Sequence, residues 1–478
     1  MKKLTALFTE PRSALNLTLF IFLLLHLYRL AAPPNGYHQW RESDTAAVIQ
    51  NYYQEDLSFL HPRVNQRGVT SGITGIEFPI YNYTAALLYY LTGPTHIIPR
   101  LLTILGGLAA LLLFYRIAVL LLLDIRAALY AVWALAFSPL FFFYSYKIMP
   151  DIWMLALLLA AVYSFILFIE RRNYLLLIGS ALSLSLSGCI KPLGLAIYIP
   201  FLFLLWANKK RDKLMVILTI IYMIVTTAVI FGWFTYARRV NELYGSGAFY
   251  LGEHFLDFKT HFLDFKFLKK LFLQWPFELW IGWILIPAFV IGLYWAIKKK
   301  TGRFYIFWIL AAYIIFVPTS QHSGTHDYYT LIIVPPLAAL TGVGLAKIFE
   351  WGRRGWIFAA LLLLMAVPGT LIRIHSRFGP TNEFYQIRND VEKLIPAKSL
   401  VMVQDNTTAI RLYQLNRKGW PLRNIIKYDE IKKYVSQGAQ FLILDRPIET
   451  YDDSLTILFE KNPKTIGSFY CYVLRKSG

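Results

Sequence analysis

Apolar residues along this chain come in long runs separated by short polar stretches, and only the last hundred or so residues break that rhythm. The runs fall at 14–32, 98–118, 126–144, 152–169, 174–188, 193–207, 214–235, 277–297, 304–318, 330–349 and 355–372. Most approach the roughly 20 residues that carry a helix across a hydrocarbon core of about 30 Å. They predict an all-α polytopic membrane domain of about eleven transmembrane helices. The run at 80–92, "IYNYTAALLYYLT", is apolar and rich in tyrosine but too short to cross. A crossing there would also invert every later loop against the basic clusters, so it is expected to lie as an interfacial helix on the outer membrane face. The first run lacks a small-x-small cleavage site and is followed by many further spans, so a retained helix is expected rather than a signal peptide.

After about residue 376 charges become frequent and interspersed. "SLVMVQ" and "QFLILD" read as short buried strands, "TTAIRLYQLN" and "YDEIKKYVSQG" as helices with polar faces, and Gly419 and Gly438 as turns. The expected organisation is a membrane domain over 1–375 and a small soluble α/β domain over 376–478, with no sustained heptads or short-period repeats.

Composition agrees. Of 478 residues, 57% are apolar and only 16% charged, against about 25% charged in an ordinary soluble domain. The net charge of +20 is distributed in clusters between the apolar runs: Lys2, Lys3 and Arg12; Arg116 and Arg126; Arg171 and Arg172; Lys209 to Lys213; Lys298 to Arg303; Arg353 and Arg354. That pattern points to orientation in a membrane and to anionic lipid, not to nucleic acid. With the clusters cytoplasmic, the N-terminus is inside and the C-terminal domain outside. The loops 33–97, 145–151, 189–192, 236–276 and 319–329 then all share the outer face. Cys189 and Cys471 are far apart and offer neither a disulfide framework nor a thiolate metal site.

Charge parity thus turns a scatter of polar residues into candidates for one outer site. "HQWRESDTA" places His38, Arg41, Glu42 and Asp44 soon after the first span. Ser43 or Asp44 would cap a helix starting there; alternatively Asp44 is a general base, with Glu42 orienting it or competing. Arg41 anchors at headgroups or holds a phosphate as a planar fork. "YSYKIMPDIWM" sets Lys147 and Asp151 at a turn made by Pro150, where pairing with Lys147 is one way to satisfy the acid. "SGCIKPLGL" buries Lys191 in apolar sequence at a helix break made by Pro192 and Gly194, which suits a phosphate ligand better than a snorkelling lysine. "QHSGTHDYY" brings His322, His326, Asp327, Tyr328 and Tyr329 before a span; hydrogen bonding to a phosphate or sugar fits better than a metal, because Ser323 and Gly324 favour a loop. Glu77 holds a sugar hydroxyl or is a solvated loop acid. The loop 236–276, with "HFLDFK" repeated, has the alternation of a membrane-surface amphipathic helix.

The succession "WRESD", "KIMPD", "KPLG" and "HDYY" followed by "PPLA" over residues 1–350 resembles the GT-C membrane glycosyltransferases. Within them it is most similar to the bacterial branch holding the lipid A aminoarabinose transferase and relatives of the protein O-mannosyltransferases, the family 39-like enzymes. That resemblance implies an inverting transferase in a bacterial inner (plasma) membrane. It would move a sugar from a polyprenyl-phosphate donor to a hydroxyl of a glycan, lipid or protein acceptor on the extracytoplasmic face. It casts Asp44 as the first-loop acid and Asp151 as the second-loop acid. Lys191 becomes the lysine of the helix break, and His326, Tyr328 and Tyr329 the late loop near the donor phosphate. The family pattern of adjacent Asp-Glu is broken here by Ser43, which leaves Glu42 as a rival base; Asp44 is preferred because it begins the predicted helix and precedes Thr45.

The residues fit that chemistry without a nucleotide or redox cofactor: a hydroxyl must be positioned, its proton taken and the departing phosphate stabilised. A divalent cation would assist the phosphate, though no ligand set requires one. A transporter or flippase of lipid-linked sugars would also need cations and aromatics, but calls for inverted repeats and midplane charges. A scaffold acting through the outer domain would be indifferent to Asp44→Asn.

Overall fold

In a computed structural model the described residues are 11–245, 264–299, 302–319, 324–380, 383–406, 410–423, 427–448, 455, 458–459 and 463–475. Helix dominates, and the expected apolar runs become helices in order. Five are long and apolar enough to cross a membrane: Ile97–Leu122, Asp151–Arg171, Lys213–Tyr244, Asp327–Phe349 and Gly352–His375. Shorter apolar helices occupy Pro11–His26, Ile125–Ala136, Tyr174–Ile190, Pro192–Ala207 and Arg303–Phe316. The chain is an integral membrane protein. The short run expected at the interface is the helix Ile80–Thr92.

Three runs differ from the straight spans expected. The stretch 126–144 divides before Pro139 into Ile125–Ala136 and Pro139–Tyr144, because proline cannot supply the amide that would continue the first helix. The stretch 277–297 lies in a pair, Phe265–Trp280 and Trp283–Lys299, bent by 97°. Gly282 makes the corner with φ +80°, a conformation a side chain would strain. Residues 236–244, expected in a loop, continue the helix Lys213–Tyr244; the rest of that loop up to 263, with the first "HFLDFK" repeat, lies outside the described residues, as does His322.

The chain divides into two compact units. The first comprises Met1–Leu30, Arg100–Phe234 and Gly252–Ser376; the second comprises Ala31–Pro99, Thr235–Leu251 and Arg377–Gly478. In the first unit, Val334–Phe349 is the hub, with nearly every residue buried. It meets Ile286–Lys299 backbone to backbone: a Cβ on Gly344 would strike the Ala288 carbonyl, and one on Gly292 the Leu340 carbonyl. Small residues of this kind let apolar helices approach closely where lipid gives no hydrophobic drive to pair them.

The second unit contains a five-stranded sheet: β1 Leu400–Gln404, β2 Lys418–Leu422, β3 Phe441–Leu444, β4 Lys464–Ile466 and β5 Phe469–Val473, in the order β2-β1-β3-β5-β4. β1 pairs parallel with β2 and β3; β5 pairs antiparallel with β3 and β4. Val401 and Val403 face one core cluster, Met402 the other, as period-2 alternation requires. The expected strands "SLVMVQ" and "QFLILD" are β1 and β3, and Tyr428–Ser436 is the expected second helix. Gly419, expected in a turn, lies inside β2 opposite Val401 at φ +147°. Its amide bonds the Asn65 carbonyl and its own carbonyl accepts from Arg67 and Gly68. A glycine lets the segment Asn65 to Gly68 join the edge of the sheet at this point.

Candidate active site

Two clusters of buried polar residues emerge, one in each unit. In the second unit, the helix Gln39–Gln54 starts after His38, which sits in the left-handed region at φ +57° and gives no side-chain cap. Its ring packs on Tyr37 with centroids 4.1 Å apart. Asp44 therefore lies in the second turn, and the capping role considered for Ser43 or Asp44 is excluded. Every residue from Arg41 to Tyr52 is buried, so this polar helix is walled in on all sides. The Asn82 side-chain amide donates to the Thr45 carbonyl at 3.1 Å, tying the helix Ile80–Thr92 to it.

Inside this cluster the charges are treated unequally. Arg41 is ion-paired with Glu77, so Glu77 is not the solvated loop acid that the sequence allowed. Glu42 is completely buried. Asp44 retains 8% exposure, and its carboxylate makes no hydrogen bond or ion pair among the described residues. Burial pushes its carboxyl up from 3.8 to about 7; Arg41 pulls it down and Asp405 pushes it up. A carboxylate poised at neutral pH and without a protein partner is suited to take a proton from a positioned hydroxyl.

The cluster in the first unit is built on cations and rings. The helix Tyr174–Ile190 ends at Lys191, whose extended backbone leads into the 3-10 turn Pro192–Ile197, the break expected from "KPLG". The Lys191 ammonium is ion-paired with Asp151, at the start of Asp151–Arg171. It also lies 4.0 Å from the Tyr328 ring centre and 4.5 Å from that of Tyr329. His326 stacks on Tyr328 at 5.4 Å, and the Tyr144 hydroxyl donates to Asp327. Of the partners open to Asp151, the acid takes the lysine of the helix break rather than Lys147, and its other oxygen, Oδ2, has no hydrogen-bond partner among the described residues. Lys147, fully buried, holds its ammonium 5.0 Å from the Phe143 ring.

The structure therefore brings His38, Arg41, Glu42, Asp44 and Glu77 together in one unit, and Asp151, Lys191, His326, Tyr328 and Tyr329 together in the other. Three further residues come to attention only here. Asp405, just past β1, acts on Asp44. Arg100, completely buried, donates to the Tyr146 carbonyl at 2.9 Å and covers its ring at 4.1 Å. A lone arginine at the mouth of the apolar run "IIPRLL" was the available signal for it. Nothing in the sequence singled out Tyr144.

Residues 77–234 match the model of the family described as dolichyl-phosphate-mannose-protein mannosyltransferase. No curated protein matches the sequence. Among solved structures, ArnT from Cupriavidus metallidurans in the apo state superposes with a TM-score of 0.67 at 13% identity, covering 97% of this chain and 98% of that one. ArnT bound to undecaprenyl phosphate gives 0.66 at 13% identity, covering 95% and 97%. The apo oligosaccharyltransferase of Archaeoglobus fulgidus gives 0.62 at 12% identity, covering 93% and 71%. The chain has the GT-C fold. The resemblance read from the motifs stands. The match to ArnT runs nearly end to end on both chains.

Proposed function

We propose that this protein is an inverting glycosyltransferase that takes a sugar from a polyprenyl-phosphate donor and places it on a hydroxyl of a glycan, lipid or protein acceptor at the extracytoplasmic membrane face. The eleven apolar segments serve as its spans, and residues 376–478 as an outer domain. The observation that carries the reading is Asp44: a buried carboxylate, unpaired among the described residues and held near pH 7, on a helix of a fold shared with a structure bound to undecaprenyl phosphate.

In the reaction Asp44 accepts the proton of the acceptor hydroxyl as its oxygen bonds to the anomeric carbon. The bond from that carbon to the phosphate oxygen breaks, and the polyprenyl phosphate departs with the electron pair. Glu42 and the Arg41–Glu77 pair fix the helix that aims Asp44, with His38 at its start. Lys191 offers its ammonium to the departing phosphate, with Asp151 orienting it and Tyr328 and Tyr329 confining it. His326 and Lys147 supply further donors. Positive charge prepositioned where negative charge develops is the largest source of rate in such displacements.

The test is to incubate the purified chain with undecaprenyl-phosphate mannose, undecaprenyl-phosphate arabinofuranose and related donors, and to follow release of polyprenyl phosphate. Turnover of at least one donor is expected, and Asp44→Asn should lower it by about a thousandfold. A wild-type rate in that variant overturns the assignment.

A further inference from the structure

The acid cluster has a brace that none of the roles above includes. Asn241 lies in the last turn of Lys213–Tyr244, a helix otherwise long and apolar enough to be a span. Its side-chain oxygen accepts from the Thr74 hydroxyl at 2.9 Å and from the Gly75 amide at 2.8 Å. Its side-chain nitrogen donates to the Gly75 carbonyl at 3.2 Å. One amide thus satisfies both main-chain groups of a single residue, as a strand partner would, one residue beyond the short antiparallel pairing of 72–74 with 62–64. The contact is close because Gly75 has no side chain: a Cβ there would collide with the Ala237 carbonyl, one turn before Asn241. Thr74 is completely buried, and two residues beyond Gly75 comes Glu77, the ion-pair partner of Arg41.

We infer that Asn241 is a positioning residue for the transfer reaction, clamping Gly75 so that Glu77 holds Arg41 and the helix carrying Asp44 in register. The inference rests on the reading of Asp44 as base. A buried main-chain amide and carbonyl left unpaired would seek other partners, and Glu77, two residues along, would move with them. A shift of about 1 Å in a supporting element is enough to cost up to a hundredfold in rate. The clamp acts through Glu77 alone, so its loss and the loss of Glu77 are one lesion, not two.

The experiment is a double-mutant cycle on the full chain, using whichever polyprenyl-phosphate sugar the wild type turns over. Asn241→Ala should lower kcat by about tenfold with KM for the donor within about twofold. Glu77→Gln should do the same, and the double variant should be no slower than the slower single one. Asn241→Asp keeps both accepted bonds and loses the donated one, so it should recover part of kcat; it also replaces Asn241→Ala in the cycle if that variant does not fold. A wild-type kcat in Asn241→Ala, or losses that multiply with Glu77→Gln, overturns the inference while leaving Asp44 as base. Retained turnover in Asp44→Asn overturns the underlying reading instead.

Discussion

Two buried aspartates, Asp151 fully and Asp44 all but 8% enclosed, are placed on opposite electrostatic terms. Asp151 in the first unit has its charge answered at once by Lys191, and that ammonium is further enclosed by Tyr328 and Tyr329. Asp44 in the second unit has the nearest cation, Arg41, engaged by Glu77 and a second acid, Asp405, within electrostatic reach. A paired carboxylate gives its neighbour an orientation; an unpaired one in a low-dielectric surrounding binds a proton more tightly and stays available to a substrate. On the proposed reading, the difference separates a charge used to arrange a cation from a charge kept for proton transfer.

The contrast predicts opposite responses to removal of charge. Lys191→Ala should lower turnover by roughly a hundredfold and also destabilise the fold by roughly 3–5 kcal/mol, because it strands the Asp151 carboxylate without its partner. Thermal unfolding in detergent checks the second part, and Lys191→Ala combined with Asp151→Asn should restore most of the stability.

Asp44→Asn should do the reverse. The folded carboxyl titrates at about 7 against 3.8 unfolded. The folded state therefore binds the proton more tightly, and stability falls as pH rises from the lower value through the upper one. An asparagine abolishes that fall. The variant should melt above the wild type at pH 8, by at most about 4 kcal/mol, and match it near pH 4. Equal melting at both pH values would dissolve the distinction between the two acids.

How much of this was legible beforehand follows the same divide. Long apolar runs carry their own explanation, so the helices appear in order, and the short run 80–92 was separated from the spans by its length and by the placement of the basic clusters. Lys191 stood out because a lysine in apolar sequence needs an anion. Its anion is Asp151, for which Lys147 was one of the partners the sequence offered; pairing in the fold depends on which helix ends meet, not on the four residues between Lys147 and Asp151. The start of the Asp44 helix was misplaced because His38 takes the left-handed position ahead of it, a conformation uncommon outside glycine and so not anticipated from the sequence. Gly419 read as a turn because a glycine inside a strand looks the same in sequence. Asn241 and Asp405 had no local signal; each matters only through a residue far away along the chain.

Smaller effects refine the picture. Glu55, partly buried, would be raised by that burial, but hydrogen bonds from Arg67 and Lys418 hold it down at about 2. It joins the first outer loop to β2. Glu55→Gln should cost roughly 2 kcal/mol at pH 7, with the loss vanishing as pH falls through the folded value; urea unfolding at pH 7 and pH 2 checks the sign. Tyr329→Leu removes one of the two rings over Lys191 and should weaken donor binding by roughly 1 kcal/mol, about fivefold in KM, with stability little changed.

The most direct measurement is the pH dependence of kcat/KM for the donor, which reports ionisation in the free enzyme. The account predicts a rate that climbs tenfold per pH unit below about 7 and levels above it, as the Asp44 carboxyl loses its proton. A rate unchanged between pH 5 and pH 8 would contradict it.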